Sequence, residues 1–441
     1  MPSLANGLLL RAARPQDRDA VAALLTDAHA HPDGTPGAAV GRWQRDYFDR
    51  GHPTVGFSEM MVVEEEATGA LVSCLLMVPQ TWCYAGIPFG VSTVELAATS
   101  PRYRRRGLMT RQLEVLQQGS ARRGDLVQAL SDILFFGDGS DYRPVLTQRA
   151  GRGGYTSELP QAADEPVRLR RAVVGDIPFL IEVDSHLRER VLVSCLRDAA
   201  QWRHELTGRS PDSMVCDDIM VVEARSGPVG YVVLGYGGIP SYPIPSWLPG
   251  FPCPEPVVSV AEFELLPGTP WPEVAPSVLR QLTSTGRSDP TGYLLWLGVT
   301  HPAYDVLADL LTRRPQQIGW FLRVPDTGAF LSRIAPALER RLTGTAAQAY
   351  TGDLLLHLYY YGLCLSFESG RLAGVRPWAG HSRRGADASL PEQMLLQLVF
   401  GHAGWDELAV AFPDCRMQTR TGRLLIPRLF AQQPSHIWPL I

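Results

Sequence analysis

The chain has 441 residues, of which 45% are hydrophobic and 20% charged, and its formal net charge is −4. This length predicts two to four domains, and the composition is that of an ordinary globular protein. The acidic balance argues against a nucleic-acid binder, no apolar run is long enough to span a membrane, and the first residues lack the features of a signal peptide. A cytoplasmic protein without membrane insertion is therefore expected.

The cysteine and lysine content excludes several kinds of site and catalytic group. The seven cysteines are scattered without a CxxC pair, so the sequence predicts neither a disulfide framework nor a zinc site, and no metal is expected. All 41 basic residues are arginine. No lysine is therefore available as a Schiff base or a general base.

The first segment, residues 1–154, predicts elements in the order β-α-β-β-β-α-β. Its second helix follows Gly107, because Leu108, Leu113 and Leu116 recur at helical spacing, and Gly119 and Gly124 are expected to close it. This order predicts a mixed sheet with helices on its faces.

The second segment, residues 155–325, repeats this order about 160 residues further along, which indicates a tandem duplication. Its proline-rich stretch at 237–256 is expected to be a surface loop. The third segment, residues 326–441, predicts an amphipathic helix over 328–342, a strand pair or triplet, two helices and an apolar tail. Such a tail favours burial, which would carry the carboxylate of Ile441 into the interior.

An arginine-rich turn links a strand to a helix in the first segment. Arg104, Arg105 and Arg106 precede Gly107, after a strand that ends near Thr99. Backbone N–H groups at a helix start, together with guanidinium groups, form a site for an anion, and glycine permits close approach of the backbone. Neither a dinucleotide-binding GxGxxG pattern nor a P-loop is present.

The stretch "VELAATSPRYRRRGLM" resembles the pyrophosphate loop of the GNAT acetyltransferases, which has Gln/Arg-x-x-Gly-x-Gly/Ala. Arg104 and Gly107 match two fixed positions, while Met109 stands at the third. The resemblance implies that this loop binds acetyl-CoA and that the preceding strand pairs with the pantetheine arm. The implied cofactor-binding residues are Ala97, Ala98, Thr99, Arg104, Arg105, Arg106, Gly107, Leu108, Met109, Thr110 and Phe136. The second segment lacks these arginines, so one site per chain is expected.

The three-segment layout resembles the Eis (enhanced intracellular survival) acetyltransferases of actinobacteria. This implies an α/β (α+β) fold with tandem GNAT-like mixed sheets and a smaller domain that resembles sterol carrier proteins. It also implies a hexamer that acetylates amines, including aminoglycosides or lysine-like amines, by direct transfer in a ternary complex. The family's tyrosine acid would be Tyr142, with Tyr155 as the fallback, and its carboxylate base would be that of Ile441.

The sequence offers further candidates for the base and for contacts to the amine substrate. Asp138, Asp141 and Glu95 are alternative bases, and the two aspartates would also attract a cationic amine. Trp43 lies where the family's substrate-facing loop begins, and His29 and His31 are expected at an exposed helix end. Two functions stay open beside acetyl transfer: use of another acyl-CoA on a biosynthetic amine, and non-catalytic binding of an acyl chain or lipid.

Overall fold

The computed structural model describes residues 3–4, 7–30, 37–131, 141–149, 151–235, 257–284, 290–315, 318–379 and 385–438. Elements are named here in chain order. The first part of the chain contains β1 (Ser3–Leu4), β2 (Leu8–Ala12), α1 (Arg18–Ala28), α2 (Ala38–Asp46), β3 (Met60–Glu65), β4 (Leu71–Tyr84), β5 (Ile87–Thr99), α3 (Leu108–Arg123), β6 (Val127–Ser131) and β7 (Arg143–Arg149).

The second part repeats much of this order. It contains β8 (Arg152–Tyr155), β9 (Val167–Arg171), α4 (Ile177–Arg190), β10 (Val193–Cys195), α5 (Ala199–Thr207), β11 (Asp218–Ala224), β12 (Gly227–Leu234), β13 (Val257–Leu265), α6 (Trp271–Ser284), β14 (Gly292–Leu295), α7 (Pro302–Val306) and β15 (Ile318–Arg323).

The third part forms a separate five-stranded sheet within the described residues. Its elements are α8 (Thr327–Arg333), α9 (Ala335–Leu342), β16 (Gly352–His357), β17 (Gly362–Glu368), β18 (Arg371–Trp378), β19 (Ala388–Ser389), α10 (Glu392–Val399), α11 (Trp405–Ala411), β20 (Arg416–Met417) and α12 (Arg420–Leu429). The strand order is β18-β17-β16-β19-β20. The sequence predicted a strand pair or triplet, and β16, β17 and β18 form the triplet.

The first two sheets exchange strands. The first has the order β1-β2-β3-β4-β5-β6-β15-β7, with β10 paired to β4, and the second has the order β8-β14-β13-β12-β11-β9. Thus β15 lies between β6 and β7 although it follows the whole second sheet in the chain. The mixed α/β architecture is confirmed, whereas the domain limits at 154 and 325 stay predictions.

Two features of the fold differ from the sequence expectations. Residues 328–342 form α8 and α9 rather than one helix, with a break at Ile334, where Pro336 follows and cannot continue the hydrogen bonding of α8. In α3, Gly119 lies inside the helix, and only Gly124 ends it, in the left-handed conformation with φ of 81°. Leu108, Leu113 and Leu116 are buried as expected.

No helix among the described residues is long and apolar enough to cross a membrane.

Aromatic packing joins the first sheet to the third unit. The Tyr84 hydroxyl of β4 donates to the Val399 carbonyl at 2.6 Å, and the ring of Phe89 in β5 packs edge-on against Phe330 with centroids 5.3 Å apart. These buried rings make one core of the two units.

Gly107, which precedes α3, and Gly119, which lies within it, allow a matched test of the loop conformation. Gly107 has φ of 72°, and an added Cβ would meet no atom within 4 Å, so the cost of Gly107→Ala is the backbone strain alone, about 1–2 kcal/mol. Gly119→Ala, in the same helix, should stabilise the protein by about 0.5–1 kcal/mol. Thermal denaturation of both variants checks this, and shifts of the same sign would contradict the assigned conformations.

Candidate active site

The site begins where β5 leaves its parallel neighbour. The β5–β6 pairing runs from Val91 beside Val127 to Thr93 beside Ala129, and from there to Thr99 no described strand pairs with β5 on that side. Against β4, the register shifts by one residue, and Leu96 has φ of 48°. This shift marks a β-bulge in β5, just beyond the point where β5 separates from β6.

The bulge determines which backbone groups face the gap. The Ser100 N–H donates to the Val72 carbonyl of β4, and backbone groups alternate along a strand, so the N–H and C=O groups of Ala97 and Thr99 face away from β4. Two side chains reach these carbonyls. The His29 Nε2 lies 3.2 Å from the Ala97 oxygen, and the Arg104 Nε donates to the Thr99 oxygen at 3.1 Å.

The turn after β5 opens the start of α3 to the same gap. Arg105 and Gly107 have φ of 61° and 72°, and the first helical hydrogen bond runs from Arg111 N–H to the Gly107 carbonyl. The N–H groups at 108–110 precede that bond and carry the positive end of the helix dipole. The resulting groove of about 420 Å³ is lined by Ala28, His29, Ala97, Ala98, Thr99, Tyr103, Arg104, Arg105, Gly107, Leu108, Met109 and Thr110.

The three arginines of the turn have different surroundings. Arg106 lies over the Tyr103 ring at 4.8 Å and donates to the Arg102 carbonyl at 3.0 Å. The Arg104 Nε donates to the Thr99 carbonyl of β5. Arg105 is exposed, and among the contacts of the described residues none involves its guanidinium. Arg105 is therefore best placed to bind an anion at the start of α3.

This unit also matches a known family. A model of the acetyltransferase (GNAT) domain matches residues 10–132, which include β5, the turn and α3. The first unit is a GNAT acetyltransferase domain. The chain is therefore an acyltransferase, and GNAT domains use acetyl-CoA as the donor for an amine.

Solved structures share the fold along nearly the whole chain. A GCN5-related N-acetyltransferase from Anabaena variabilis is 13% identical, with a TM-score of 0.64 and 98% of this chain and 99% of that chain covered. A probable N-acyltransferase from Enterococcus faecalis is also 13% identical, with a TM-score of 0.64 and coverage of 97% and 98%.

Eis1 from Mycobacterium abscessus is 15% identical, with a TM-score of 0.56 and coverage of 98% and 99%. Identities this low show the fold alone. No curated protein sequence matches the chain.

The cofactor residues expected in the GNAT domain meet in one groove. Ala97, Ala98 and Thr99 form its strand wall, and Arg104, Arg105 and 107–110 form its loop and helix wall. Arg106 lies beside Tyr103 on the same turn. Phe136, Asp138, His31 and Ile441 lie outside the described residues.

Tyr142 lies under α3 rather than in the groove. It is 2% exposed and packs in an apolar cluster with Leu113, Leu116 and Leu130. Burial raises the pKa of Tyr142 to about 12, although the Gln117 side chain and the Arg323 guanidinium oppose the rise. Gln117 belongs to the second half of α3, so this contact places the hydroxyl away from the arginine turn.

The other expected residues are distributed around the GNAT domain. Trp43 is 6% exposed and packs with Leu96 and Ala98 on the face of the sheet opposite α3. Asp141 is exposed, 3.7 Å from the Arg323 guanidinium. Tyr155 belongs to β8 of the second sheet, where the Arg313 guanidinium lies 5.3 Å from its ring.

Two residues next to the bulge gain importance from the structure. Glu95, one of the alternative bases predicted from the sequence, is half-buried immediately before Leu96. His29 follows α1 directly and reaches the Ala97 carbonyl, a contact that the sequence does not predict. The sequence held a signal for this, since "HAH" follows the predicted first helix directly, but only the fold brings residue 29 to residue 97.

The second sheet keeps the strand order without the anion site. Its strand β13 pairs in parallel with β14 as far as Val260 beside Leu295. The turn from β13 to α6 contains Gly268 but no arginine. Instead, the buried carboxylates of Glu262 and Glu264, 1% and 3% exposed, extend from β13. Among the described residues, no group of three or more His, Cys, Asp or Glu side chains is arranged to hold a metal ion.

The arginine turn yields a prediction for CoA affinity. Arg105→Ala should weaken CoA binding at least tenfold, because a charge-assisted hydrogen bond contributes about 1.5–3 kcal/mol. Arg122→Ala is the matched control, since this exposed arginine lies in the last turn of α3. Isothermal titration calorimetry with CoA measures both. Equal affinities for the two variants would contradict the role of Arg105.

Proposed function

We propose that the chain is an acetyl-CoA-dependent N-acetyltransferase that acts on a primary amine, either aminoglycoside-like or lysine-like, by direct transfer in a ternary complex. One observation carries this proposal. The edge of β5 at Ala97 and Thr99, with which no strand of the described residues pairs, lies beside an arginine turn and a helix start, so one groove offers strand-type pairing at one wall and anion binding at the other.

The groups of the groove suit a CoA thioester. Acetyl-CoA supplies an activated acetyl group when bound. Arg105 and the N–H groups at 108–110 would hold the pyrophosphate, and the edge of β5 would align the amide-bearing arm. An N–H group of this edge, near Thr99, would donate to the thioester carbonyl oxygen as negative charge develops there. Alignment of both reactants is the larger part of what the protein has to provide.

Besides Asp138 and Asp141, the base has two candidates, Glu95 and the carboxylate of Ile441. Glu95 lies directly before the bulge and would accept a proton from the ammonium group, directly or through water. The second is the carboxylate of Ile441, which the likeness to Eis acetyltransferases implies. The described course of the tail supports this second candidate.

The tail runs alongside β10 toward the site. The His436 N–H donates to the Val193 carbonyl at 2.9 Å, and the Cys195 thiol donates to the Trp438 carbonyl at 3.0 Å. Cys195 pairs with Trp82 in β4, and Trp82 lies beside Phe89 of β5. The tail therefore advances in the direction in which β5 approaches its bulge.

The acid and the acceptor site keep the residues expected from the family. Tyr142 stays the predicted acid, and its raised pKa means that it keeps its proton at neutral pH. Trp43 and the exposed Asp141 stay predicted contacts for the amine, with Asp138. The proposal also includes the predicted cofactor-binding residues with Phe136, a single site per chain, three domains and a third unit like sterol carrier proteins. It further includes a hexamer and a cytoplasmic location.

Turnover with different amines tests the function. Free thiol released from acetyl-CoA should appear with at least one class in a panel of aminoglycosides and lysine-bearing peptides, and not with acetyl-CoA alone. The Arg105→Ala variant should raise the KM for acetyl-CoA. If CoA binds but no amine supports release, acetyl transfer to these amines is wrong, and longer acyl-CoA donors on biosynthetic amines become the next hypothesis.

Extension of the chain by one glycine after Ile441 tests the terminal base. The extension moves the carboxylate and leaves the side chain in place, so kcat should fall about 100-fold or more while the KM for acetyl-CoA is unchanged. Glu95→Gln is the matched variant for the other candidate. If the extended protein keeps its kcat and Glu95→Gln loses it, the base is Glu95.

A further inference from the structure

His29 and the bound arm of CoA would need the same acceptor. In this structure, the Ala97 carbonyl faces the gap beside β5, and the imidazole Nε2 lies 3.2 Å from it. A carbonyl oxygen only accepts hydrogen bonds, so the Nε2 atom carries the proton and donates. Any extended, amide-bearing ligand that pairs with the edge of β5 requires the carbonyls of Ala97 and Thr99 for its own N–H groups.

Arg104 and His29 contact the two carbonyls from different walls of the groove. Arg104 approaches the Thr99 carbonyl from the turn, where a bound pyrophosphate offers its guanidinium a charged alternative. His29 approaches the Ala97 carbonyl from the end of α1 and lines the groove. Unlike Arg104, its neutral ring has no charge with which to bind the pyrophosphate. Its hydrogen bond with Ala97 is therefore lost, without replacement from the anion, when a ligand takes that carbonyl.

The charge state of His29 makes this bond a displaceable one. Partial shielding of the ring from water lowers the pKa of His29, the bond to Ala97 opposes this effect, and the nearby Arg104 guanidinium lowers the pKa further. The net shift favours the neutral form of the imidazole. A neutral hydrogen bond contributes less than a charged one, so a ligand can replace it at a modest cost.

We propose that His29 is a displaceable stopper on the arm-binding edge of β5: it occupies the Ala97 carbonyl in the free protein and is expelled when the acyl-CoA arm pairs there. This inference rests on the proposed function, because it takes the ligand of the groove to be a CoA thioester. His29 thereby keeps the Ala97 carbonyl of the bulged edge, beside which the described part of the chain has no further strand, hydrogen-bonded until the donor binds.

The competition predicts an unusual gain of affinity on truncation. His29→Ala should bind CoA about two- to tenfold more tightly than the wild type, the factor that corresponds to one neutral hydrogen bond. The amide nitrogen of glutamine stands about as far from the backbone as the imidazole Nε2, so His29→Gln should bind CoA like the wild type. The amide of His29→Asn stands at the position of Nδ1, falls short of Ala97, and should behave like His29→Ala.

Calorimetric titration of the full chain and these three variants with CoA decides the matter. Tighter binding by the Ala and Asn variants, with wild-type affinity in the Gln variant, supports the stopper. Weaker or unchanged binding by the Ala variant, in a wild type that binds CoA, overturns the stopper and leaves the proposed function standing. A wild type that does not bind CoA overturns both.

Discussion

One extra residue in β5 is the constraint on which the rest of the site depends. The bulge at Leu96 reverses the alternation of the backbone, so that Ala97 and Thr99 direct their N–H and C=O groups to the side where β6 has diverged. Without it, the residues that pair with β4 and those that face the gap would change places. Such an edge is a template for another extended chain, which is why a ligand with amide groups suits it.

The arginine turn has its effect because this strand delivers it to a helix start. Three like charges in a row would otherwise repel each other in solvent. Here Arg104 folds back onto the Thr99 carbonyl and Arg106 onto the Tyr103 ring, which leaves Arg105 exposed beside the first N–H groups of α3. Charge, helix dipole and strand edge thus converge on one groove, and each alone would be a weak signal.

The second unit shows the same strand order used for a different purpose. Its β13 carries Glu262, which binds the buried Arg197 at 2.8 Å, and Asp184 binds the same guanidinium at 2.6 Å. Burial of these charges is tolerable only because they are paired. The carboxylates of β13 disfavour the binding of a phosphate group beside that strand. The β10 strand that follows α4 instead supports the tail through Val193 and Cys195.

The sequence predicted what local patterns determine. The strand, the arginine turn and the helix with Leu108, Leu113 and Leu116 were all found, because helical spacing and glycine signal them locally. The insertion of β15 between β6 and β7, the pairing of β10 with β4, and the contact of His29 with Ala97 join residues distant in sequence, and no periodicity encodes them. The bulge at Leu96 was also missed, since leucine gives no sign of a positive φ.

Hydrogen–deuterium exchange with and without CoA tests the central claim most directly. If the edge of β5 pairs with the arm of CoA, the amides of Ala97 and Thr99 and those at 108–110 should become protected on addition of CoA. The corresponding strand of the second unit, β13, should not change. Protection in β13 with none in β5, or binding that leaves both strands unchanged, would contradict the assignment of the site.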